Sequence, residues 1–194
     1  MTAAVMESAA DISEDGLYRY SLMRSWAPDG SMATFIMLNP STADASVNDA
    51  TIVRCRGFAE SWGCNGLLVV NLYALRARNP RRLWEAEDPV GPRNDVYLES
   101  YIERALWLEW PLVAAWGANA KPDRVAQVLD MVPHGNETSL KALGVTKSGA
   151  PRHPLYLRSD SVLSQWPVTS QCDHADLACP PGTCDWSGRD GRDG

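Results

Sequence analysis

Residues 35–44 of this chain read Phe-Ile-Met-Leu-Asn-Pro-Ser-Thr-Ala-Asp, and they decide the predicted fold. The apolar run that precedes Asn39 has the composition of a buried strand. Pro40 lacks an amide hydrogen and biases Asn39 toward an extended backbone, so the strand must end there. A buried strand that breaks into a polar loop is typical of ligand sites in open α/β sheets. A capped turn with no further role is the alternative, because Asn, Ser, Thr and Asp all favour caps and turns.

Other apolar runs resemble this one. Residues 66–72 are continuously apolar up to Asn71, which favours a central strand covered on both faces. Residues 112–116 predict a third buried strand, and residues 155–157 predict a fourth. If these strands are parallel, the polar residues that flank them converge on one edge of the sheet.

Stretches with helical periodicity alternate with these strands. Asn48 or Asp49 can cap a helix that runs to residue 62, and Asn94 can cap a second one. The remaining predicted helices cover residues 95–108, 122–132 (with Pro122 as first residue), 138–143 and 159–166. A strand over residues 17–26 and a turn signal at residues 28–31 also allow an N-terminal hairpin with residues 32–38. The pattern predicts an α/β fold, a three-layer α/β/α sandwich around a mostly parallel four-stranded sheet.

The composition predicts one domain over residues 16–167, between flexible tails at residues 1–15 and 168–194. The C-terminal tail is rich in Cys, Gly and Asp. A zinc site there is one reading, and a flexible tail without metal is the other, because the spacing is not that of a standard zinc knuckle. The candidate ligands are Cys172, His174, Cys179 and Cys184. Cys55 and Cys64 flank a predicted helix and are expected to be buried thiols.

The formal net charge of −6 disfavours unaided binding to a long phosphate backbone. A small or single-stranded ligand is therefore expected rather than duplex DNA. The chain shows neither a long apolar span nor a secretory signal, so no membrane association is expected. Five cysteines without an export signal predict reduced thiols and a cytoplasmic location. Composition leaves the oligomeric state open.

The signature Asn-Pro-Ser-Thr-Ala-Asp at residues 39–44 resembles that of an uncharacterised family of small domains of unknown function. The chain also resembles, more distantly, the uracil-DNA glycosylase superfamily. Four segments carry this second resemblance: residues 37–40 (Met-Leu-Asn-Pro), 67–71 (Leu-Leu-Val-Val-Asn), 116–120 (Trp-Gly-Ala-Asn-Ala) and 153–155 (His-Pro-Leu). The resemblance implies a uracil-DNA glycosylase-like fold.

The second resemblance also implies a role for each segment. Asn39 would position the attacking water, and Asn71 would read the edge of the base. His153 would stabilise the departing base anion, and Trp116 with Gly117 would support the pocket. The chain departs from the superfamily at Asn39, where the superfamily carries its catalytic Asp.

The chemistry of base excision points to similar residues. Cleaving a base from a sugar creates positive charge on the sugar and negative charge on the base, so the site needs a positioned water and polar groups for the base. Asp44 and Asp49 are nearby carboxylates that could act as the base or offset the sugar cation. Asp49 suits a helix cap equally well. The remaining candidates for substrate binding are Ser41, Arg54, Lys147 and Arg152.

These patterns predict a nucleobase-directed enzyme, without a cofactor, that hydrolyses an N-glycosidic bond of a uracil-like or modified base in DNA or in a nucleotide. One alternative is a DNA base-modifying transferase that acts on a flipped base. Another is a non-catalytic nucleotide- or base-binding module, which the missing strong general base would suit.

Overall fold

The computed structural model describes residues 7–41, 48–133 and 140–166. Over these residues the chain forms an α/β domain with a mixed seven-stranded sheet and three α-helices. The strands are β1 Glu7–Ile12, β2 Arg19–Ser25, β3 Met32–Met37, β4 Gly66–Asn71, β5 Leu112–Ala114, β6 Leu140–Ala142 and β7 Ser164–Gln165. The helices are α1 Ala50–Ser61, α2 Asn94–Trp107 and α3 Pro122–Asp130, with short 3₁₀ helices at Pro80–Trp84 and Pro154–Tyr156.

The strands lie in the order β1-β2-β4-β3-β5-β6-β7. The inner strands β4, β3, β5 and β6 are parallel neighbours, while β1, β2 and β7 pair antiparallel at the two sides. The predicted four-stranded sheet is therefore wrong in size. The prediction missed strands of two or three residues and a largely exposed edge strand, which carry little hydrophobic periodicity.

The order of the parallel strands creates a reversal beside β3. The chain runs from β3 through α1 to β4 on one side, then through α2 to β5 on the other side of β3. In register, Met37 pairs with Asn71 and Ile36 pairs with Ala114, so the three carboxyl ends meet at one edge. In open α/β sheets, the crevice outside such a reversal is the usual place for a ligand.

The alternation of side chains along β3 divides the hydrophobic core in two. Phe35 packs in a cluster with Phe58 of α1, and its neighbour Ile36 packs on the opposite face with Ile102 of α2 and Val128 of α3. All five side chains are buried. Successive residues of a strand point to opposite faces, so a continuously apolar strand requires a cover on both. Helices accordingly lie on both faces of the sheet.

The N-terminal region differs from the prediction in two ways. Residues 32–38 do not form a hairpin with residues 17–26, because β4 lies between β2 and β3. Instead β2 pairs antiparallel with β1, within the first 15 residues, where a flexible tail is predicted. β1 lies at the edge of the sheet and is largely exposed, so it needs few of the branched apolar residues that identify inner strands.

Three predicted elements near the C-terminus are also wrong. Residues 155–157 are not a strand; Pro154–Tyr156 form a 3₁₀ helix, because Pro154 fixes its own φ and has no N–H for a sheet. The parallel strand expected there is supplied by β6, where the sequence predicts a short helix over residues 138–143. β7 replaces the helix predicted over residues 159–166. Tertiary pairing decides the structure of such short segments.

Other predictions are confirmed. The strands β3, β4 and β5 form where the apolar runs predict them, and Pro122 is the first residue of α3. Cys55 and Cys64 are buried free thiols, and burial raises the pKa of both. Among the described helices, none has the length and apolar character that crossing a membrane requires. The boundary at residue 167, the C-terminal tail and the zinc candidates Cys172, His174, Cys179 and Cys184 lie outside the described residues.

Candidate functional site

A cleft of about 530 Å³ opens at the carboxyl ends of the parallel strands, beside the reversal in strand order. Its walls also include the start of α1 and the loop that follows β6. The cleft brings together many of the residues that the sequence singles out: Asn39, Ser41, Asp49, Asn71, Trp116, Gly117, Arg152 and His153. Their roles in binding or catalysis remain predictions.

Two further predicted site residues, Arg54 and Lys147, do not line this cleft. The Arg54 guanidinium donates to the backbone carbonyl of Leu157 and lies over the ring of Phe58, beside a separate shallow pocket. Lys147 is exposed on the loop after β6, and Asp44 lies outside the described residues. Over the described ranges, no group of three or more His, Cys, Asp or Glu side chains could hold a metal ion.

Asn71 has the most unusual environment in the cleft. It is the last residue of β4 and is only 1% exposed. Neither its Nδ2 nor its Oδ1 has a hydrogen-bond partner among the described residues. A buried polar group without a partner costs about 1–3 kcal/mol, and native proteins rarely retain one without a reason. Asn71 is one of the residues that line the cleft, and its amide carries donor and acceptor groups side by side.

Two buried side chains hold the backbone at this strand end. Asn94 Nδ2 donates to the carbonyls of Asn71 (3.0 Å) and Leu72 (3.1 Å), and Arg124 Nε donates to the Leu72 carbonyl (2.8 Å). Asp95 anchors the far side of the Arg124 guanidinium. The predicted helix cap at Asn94 is therefore wrong: Asn94 is the first residue of α2, Arg93 is the N-cap, and the Asn94 side chain faces the sheet.

Asn39 lies two residues beyond β3, and its side chain is committed to the backbone. Its Nδ2 donates to the carbonyls of Pro40 (2.9 Å) and Ala77 (2.8 Å). Both partners are carbonyl oxygens, which only accept hydrogen bonds, so the side-chain nitrogen of Asn39 must face them. This requirement decides which of the two orientations of the amide is present. Oδ1 is then directed away from these carbonyls and can accept a hydrogen bond from a water or a ligand.

Asp49 is occupied as a helix cap. One carboxylate oxygen accepts from the backbone N–H of Ile52 at 2.9 Å, and the other accepts from the Ser41 hydroxyl. These bonds fix the start of α1 against the loop after β3. The capping interpretation of Asp49 is confirmed, and both of its oxygens already accept a hydrogen bond.

His153 lines the cleft in its neutral form at neutral pH. Burial lowers its pKa from the ordinary value of 6.5, and the negative charge of Asp49 opposes this shift only in part. Its Nδ1 accepts from the backbone N–H of Leu155 at 3.3 Å. A neutral imidazole that accepts at Nδ1 carries its proton on Nε2. His153 can therefore donate one hydrogen bond from Nε2 without becoming a cation.

Gly117 connects the strand end to the loop that carries His153. Its backbone has φ +76°, a conformation that glycine adopts without strain. Its N–H donates to the carbonyl of Pro151 at 2.9 Å, one residue before Arg152. This bond places the loop over the end of β5.

Two aromatic side chains complete the lining. Trp116 is buried and packs edge-on against Trp166, with ring centroids 5.1 Å apart. Tyr156 is 79% exposed at the cleft, and its ring lies 5.7 Å from that of His153. Tyr156 is not among the site residues that the sequence predicts. Its position after His153 and Pro154 is the signal that could have identified it.

Two arginines that sequence reasoning missed also line the cleft. Arg19, the first residue of β2, is buried, and Arg78 is exposed in the loop before the first 3₁₀ helix. An arginine beside the alternating apolar residues of β2 is the signal that could have identified Arg19. Together with Arg152, these side chains make the cleft locally basic in a chain of net negative charge.

Comparison with known proteins identifies a family but no function. The family model described as "Protein of unknown function (DUF1643)" matches residues 19–155. No curated protein matches. A similar solved structure is the hetero-hexameric glutamate dehydrogenase from Thermus thermophilus in a leucine-bound form, at 11% identity and a TM-score of 0.27. The match covers 66% of this chain and 30% of that chain, and at this TM-score it carries no argument about fold or function.

Proposed function

The chain belongs to the DUF1643 family of proteins of unknown function, and we propose that it is a nucleobase-directed enzyme. In this proposal the cleft hydrolyses an N-glycosidic bond of a uracil-like or modified base, in DNA or in a nucleotide. The observation that carries the proposal is the buried, unpartnered amide of Asn71 at the cleft wall. The sequence resemblance to uracil-DNA glycosylases, a superfamily of α/β folds, adds support.

The amide of Asn71 suits a nucleobase because it offers a donor and an acceptor side by side. The edges of nucleobases carry the complementary pattern, and such paired hydrogen bonds are worth about 1–3 kcal/mol of discrimination. The binding of a base would satisfy both atoms, which have no partner within the described part of the chain. Asn94 and Arg124 bond the backbone carbonyls of Asn71 and Leu72, so the backbone that carries the amide is held in place before the ligand arrives.

The proposed reaction follows from the remaining groups. A water held by Oδ1 of Asn39 attacks the anomeric carbon; a new C–O bond forms and the C–N bond breaks. The electron pair of the C–N bond leaves on the base, whose charge the Nε2–H of His153 stabilises. The proton lost by the water ends on the departing base, so atoms and charge balance. The carboxylate of Asp49 offsets the positive charge that develops on the sugar.

A non-catalytic base-binding module is the second candidate, and one observation favours it. Both carboxylate oxygens of Asp49 already accept hydrogen bonds, from the Ile52 amide and the Ser41 hydroxyl. A general base must be able to take a proton from the attacking water, and a carboxylate used as a cap is poorly placed to do so. Such a module would bind a base through Asn71 and leave the glycosidic bond intact.

The test is release of free base from uracil-containing and modified-base oligonucleotides and nucleotides, measured by chromatography. We expect release by the wild-type protein and its loss in Asn71→Leu and His153→Ala. Lys147→Gln is the matched control, because Lys147 is exposed near the cleft but does not line it. Circular dichroism should show that all variants are folded. If the protein binds these ligands but releases no free base from any of them, the non-catalytic base-binding module is the correct function.

We also propose a cytoplasmic location, which is supported by the two free thiols among the described residues, Cys55 and Cys64. Full activity in both folded cleft variants would reject the proposed site.

A further inference from the structure

An exposed surface with three basic side chains and one aromatic ring lies beside the cleft. Arg81, Arg82 and Trp84 of the first 3₁₀ helix form it together with Lys121, the residue before α3, and these four residues are termed the basic rim. The Nζ atom of Lys121 lies 4.7 Å from the centre of the Trp84 ring, so two distant parts of the chain meet there. Trp84 is 37% exposed, which leaves part of its large ring open to a ligand.

The geometry of the 3₁₀ helix determines which of its side chains face outward. Such a helix has about three residues per turn, so residues three apart lie on the same face. Leu83 is fully buried and anchors the inner face, whereas Arg81 and Trp84 share an outer face. The buried Tyr73 packs edge-on against Trp84, with ring centroids 5.3 Å apart. This contact holds the indole in place before a ligand arrives.

The basic rim continues directly from the wall of the cleft. Pro80, the first residue of the 3₁₀ helix, lines the cleft, and Arg81 follows it. On the second segment, Asn119 lines the cleft and Lys121 lies two residues beyond it. A polymer with one unit in the cleft can therefore extend over this surface.

The charges of the basic rim favour an anionic partner, but only over a short distance. Its three cations stand in a chain whose formal net charge is −6. Acidic residues follow on both segments: Glu85 and Glu87 after the helix, and Asp123 two residues after Lys121. A local basic surface on an acidic protein attracts an anion at close range, while the rest of the protein repels it. A flexible strand can follow such a surface for a few units, whereas a long rigid duplex would meet the acidic remainder.

The aromatic ring among these cations selects a single strand of nucleic acid. The bases of a single strand can stack on an aromatic side chain, whereas the bases of a duplex are already paired and stacked on one another. Stacking tolerates any base, and contacts to phosphates carry no sequence information. An acidic peptide would engage the cations but would have no base to place on the indole.

We propose that a single strand of nucleic acid lies across the basic rim, with one base stacked on Trp84 and phosphates at the three cations. The inference rests on the proposed function for the base that enters the cleft. It adds the substrate class, which is a strand rather than a free nucleotide. DNA and RNA share the groups that this surface would contact, so the experiment includes both.

The experiment measures binding of short, fluorescently labelled single strands of DNA and RNA to the full chain, by anisotropy at several salt concentrations. We expect strands to bind more tightly than mononucleotides or the duplex of the same sequence. Each phosphate that a protein neutralises on a single strand contributes about −0.7 to the slope of log K against log salt concentration. Three contacts therefore predict a contribution of about −2 from the basic rim.

Variants separate the charges from the ring. Arg81→Gln and Arg82→Gln change exposed side chains, so both proteins should fold, and each should weaken binding and make the salt slope shallower by about 0.7. Trp84→Ala should weaken binding by about 5- to 100-fold, the range for stacking of a base on an aromatic ring, with little change in the slope. If the lost contact with Tyr73 unfolds that variant, the two arginine variants keep the test valid.

Arg104 and Trp107 provide matched controls. Both are exposed near the carboxyl end of α2, after which the chain enters β5 at the edge of the sheet opposite the cleft. Arg104→Gln and Trp107→Ala remove the same types of side chain, and they should leave the affinity and the salt slope unchanged. Equal losses in these variants and in those of the basic rim would overturn the inference.

The remaining outcomes separate this inference from the proposed function. Unchanged strand binding in Arg81→Gln and Arg82→Gln, or mononucleotides that bind as tightly as strands, would overturn the basic rim and leave the base site in the cleft intact. Competition by polyglutamate that is unaffected by Trp84→Ala would identify an acidic protein partner and would also overturn it. Strand binding that is lost in the variants of the basic rim but not in Asn71→Leu, without release of free base, would support the rim and reject the proposed function.

Discussion

Asn39 and Asn71 are the same type of residue near the ends of two neighbouring parallel strands, and their side chains have opposite hydrogen-bond environments. Each stands at the carboxyl end of a buried parallel strand, and both line the same cleft. The nitrogen of Asn39 donates to two backbone carbonyls, at 2.9 and 2.8 Å. The amide of Asn71 is more deeply buried and has no partner over the described residues.

This difference indicates a structural role for Asn39 and a ligand-binding role for Asn71. The hydrogen bonds of Asn39 join the end of β3 to the segment after β4, and they contribute to stability whether or not a ligand is present. Among the described residues the amide of Asn71 has no partner, so a ligand or a solvent molecule could supply one. Four predictions test the comparison, beginning with the largest expected effect.

Asn39→Asp should destabilise the protein rather than improve catalysis. A carboxylate cannot donate to the carbonyls of Pro40 and Ala77, so two hydrogen bonds are lost and negative charge faces two acceptors. We expect a loss of about 3 kcal/mol in the free energy of unfolding, from two hydrogen bonds and the acceptors left unpaired. Urea denaturation measures it. An equally stable and more active variant would refute the structural role of Asn39.

Asn71→Leu should lower the affinity for the base without lowering the stability of the fold. The amide makes no hydrogen bond to the described protein, so an apolar side chain of similar size should leave stability unchanged or raise it slightly. Affinity for the base should fall about 10- to 100-fold, the value of a paired hydrogen bond to a base edge. Calorimetry and urea denaturation on one preparation give both quantities. A large loss of stability would show that the Asn71 amide is structural.

Asn94→Ala should lower both the stability of the fold and the affinity for the base. It removes the donor to the carbonyls of Asn71 and Leu72, so the free energy of unfolding should fall by about 1–2 kcal/mol. Because the strand end is then held by Arg124 alone, affinity for the base should fall as well, though less than in Asn71→Leu. An unchanged affinity would show that the orientation of Asn71 does not depend on this support.

The replacement of His153 should have the smallest effect on the free energy of unfolding, and the effect should appear only at acidic pH. Burial lowers its pKa below 6.5 in the folded protein, so the unfolded chain binds a proton more readily. Stability should therefore fall as the pH drops below about 6.5 toward the folded-state pKa, and His153→Gln should lose part of this dependence. Urea denaturation at several pH values between about 7 and 5 measures it. An identical pH profile in the variant would show that His153 is not responsible.

The sequence predicts the centre of this molecule better than its margins. The strands that lead to Asn39 and Asn71 are continuously apolar because helices cover both of their faces, and this pattern is visible without a structure. The same logic fails for β6 and β7, whose three and two residues are too few to show a period. β1 escaped prediction because an edge strand can be largely exposed and polar.

The residues of the cleft also divide into those that the sequence predicts and those that it does not. The sequence predicted that Asn39, Asn71 and His153 lie close together, and all three line the cleft, because each stands next to a strand end or a proline that the sequence reveals. The prediction included Arg54, which turns toward the Leu157 carbonyl, and missed Arg19, which begins a strand on another part of the sheet. The direction of a long side chain depends on its neighbours in space, and no local pattern contains that information.

The sequence by itself determined that buried strands end in polar residues, because hydrophobic runs and prolines act locally on the backbone. Only the tertiary structure decided what each polar group does. The order β4-β3-β5 brought the three strand ends to one cleft. The carbonyls of Pro40 and Ala77 accept from the Asn39 amide, while the Asn71 amide has no partner in the part of the chain that the structure describes. Hydrogen-bond partners are set by distances between residues far apart in the chain, and folding alone establishes those distances.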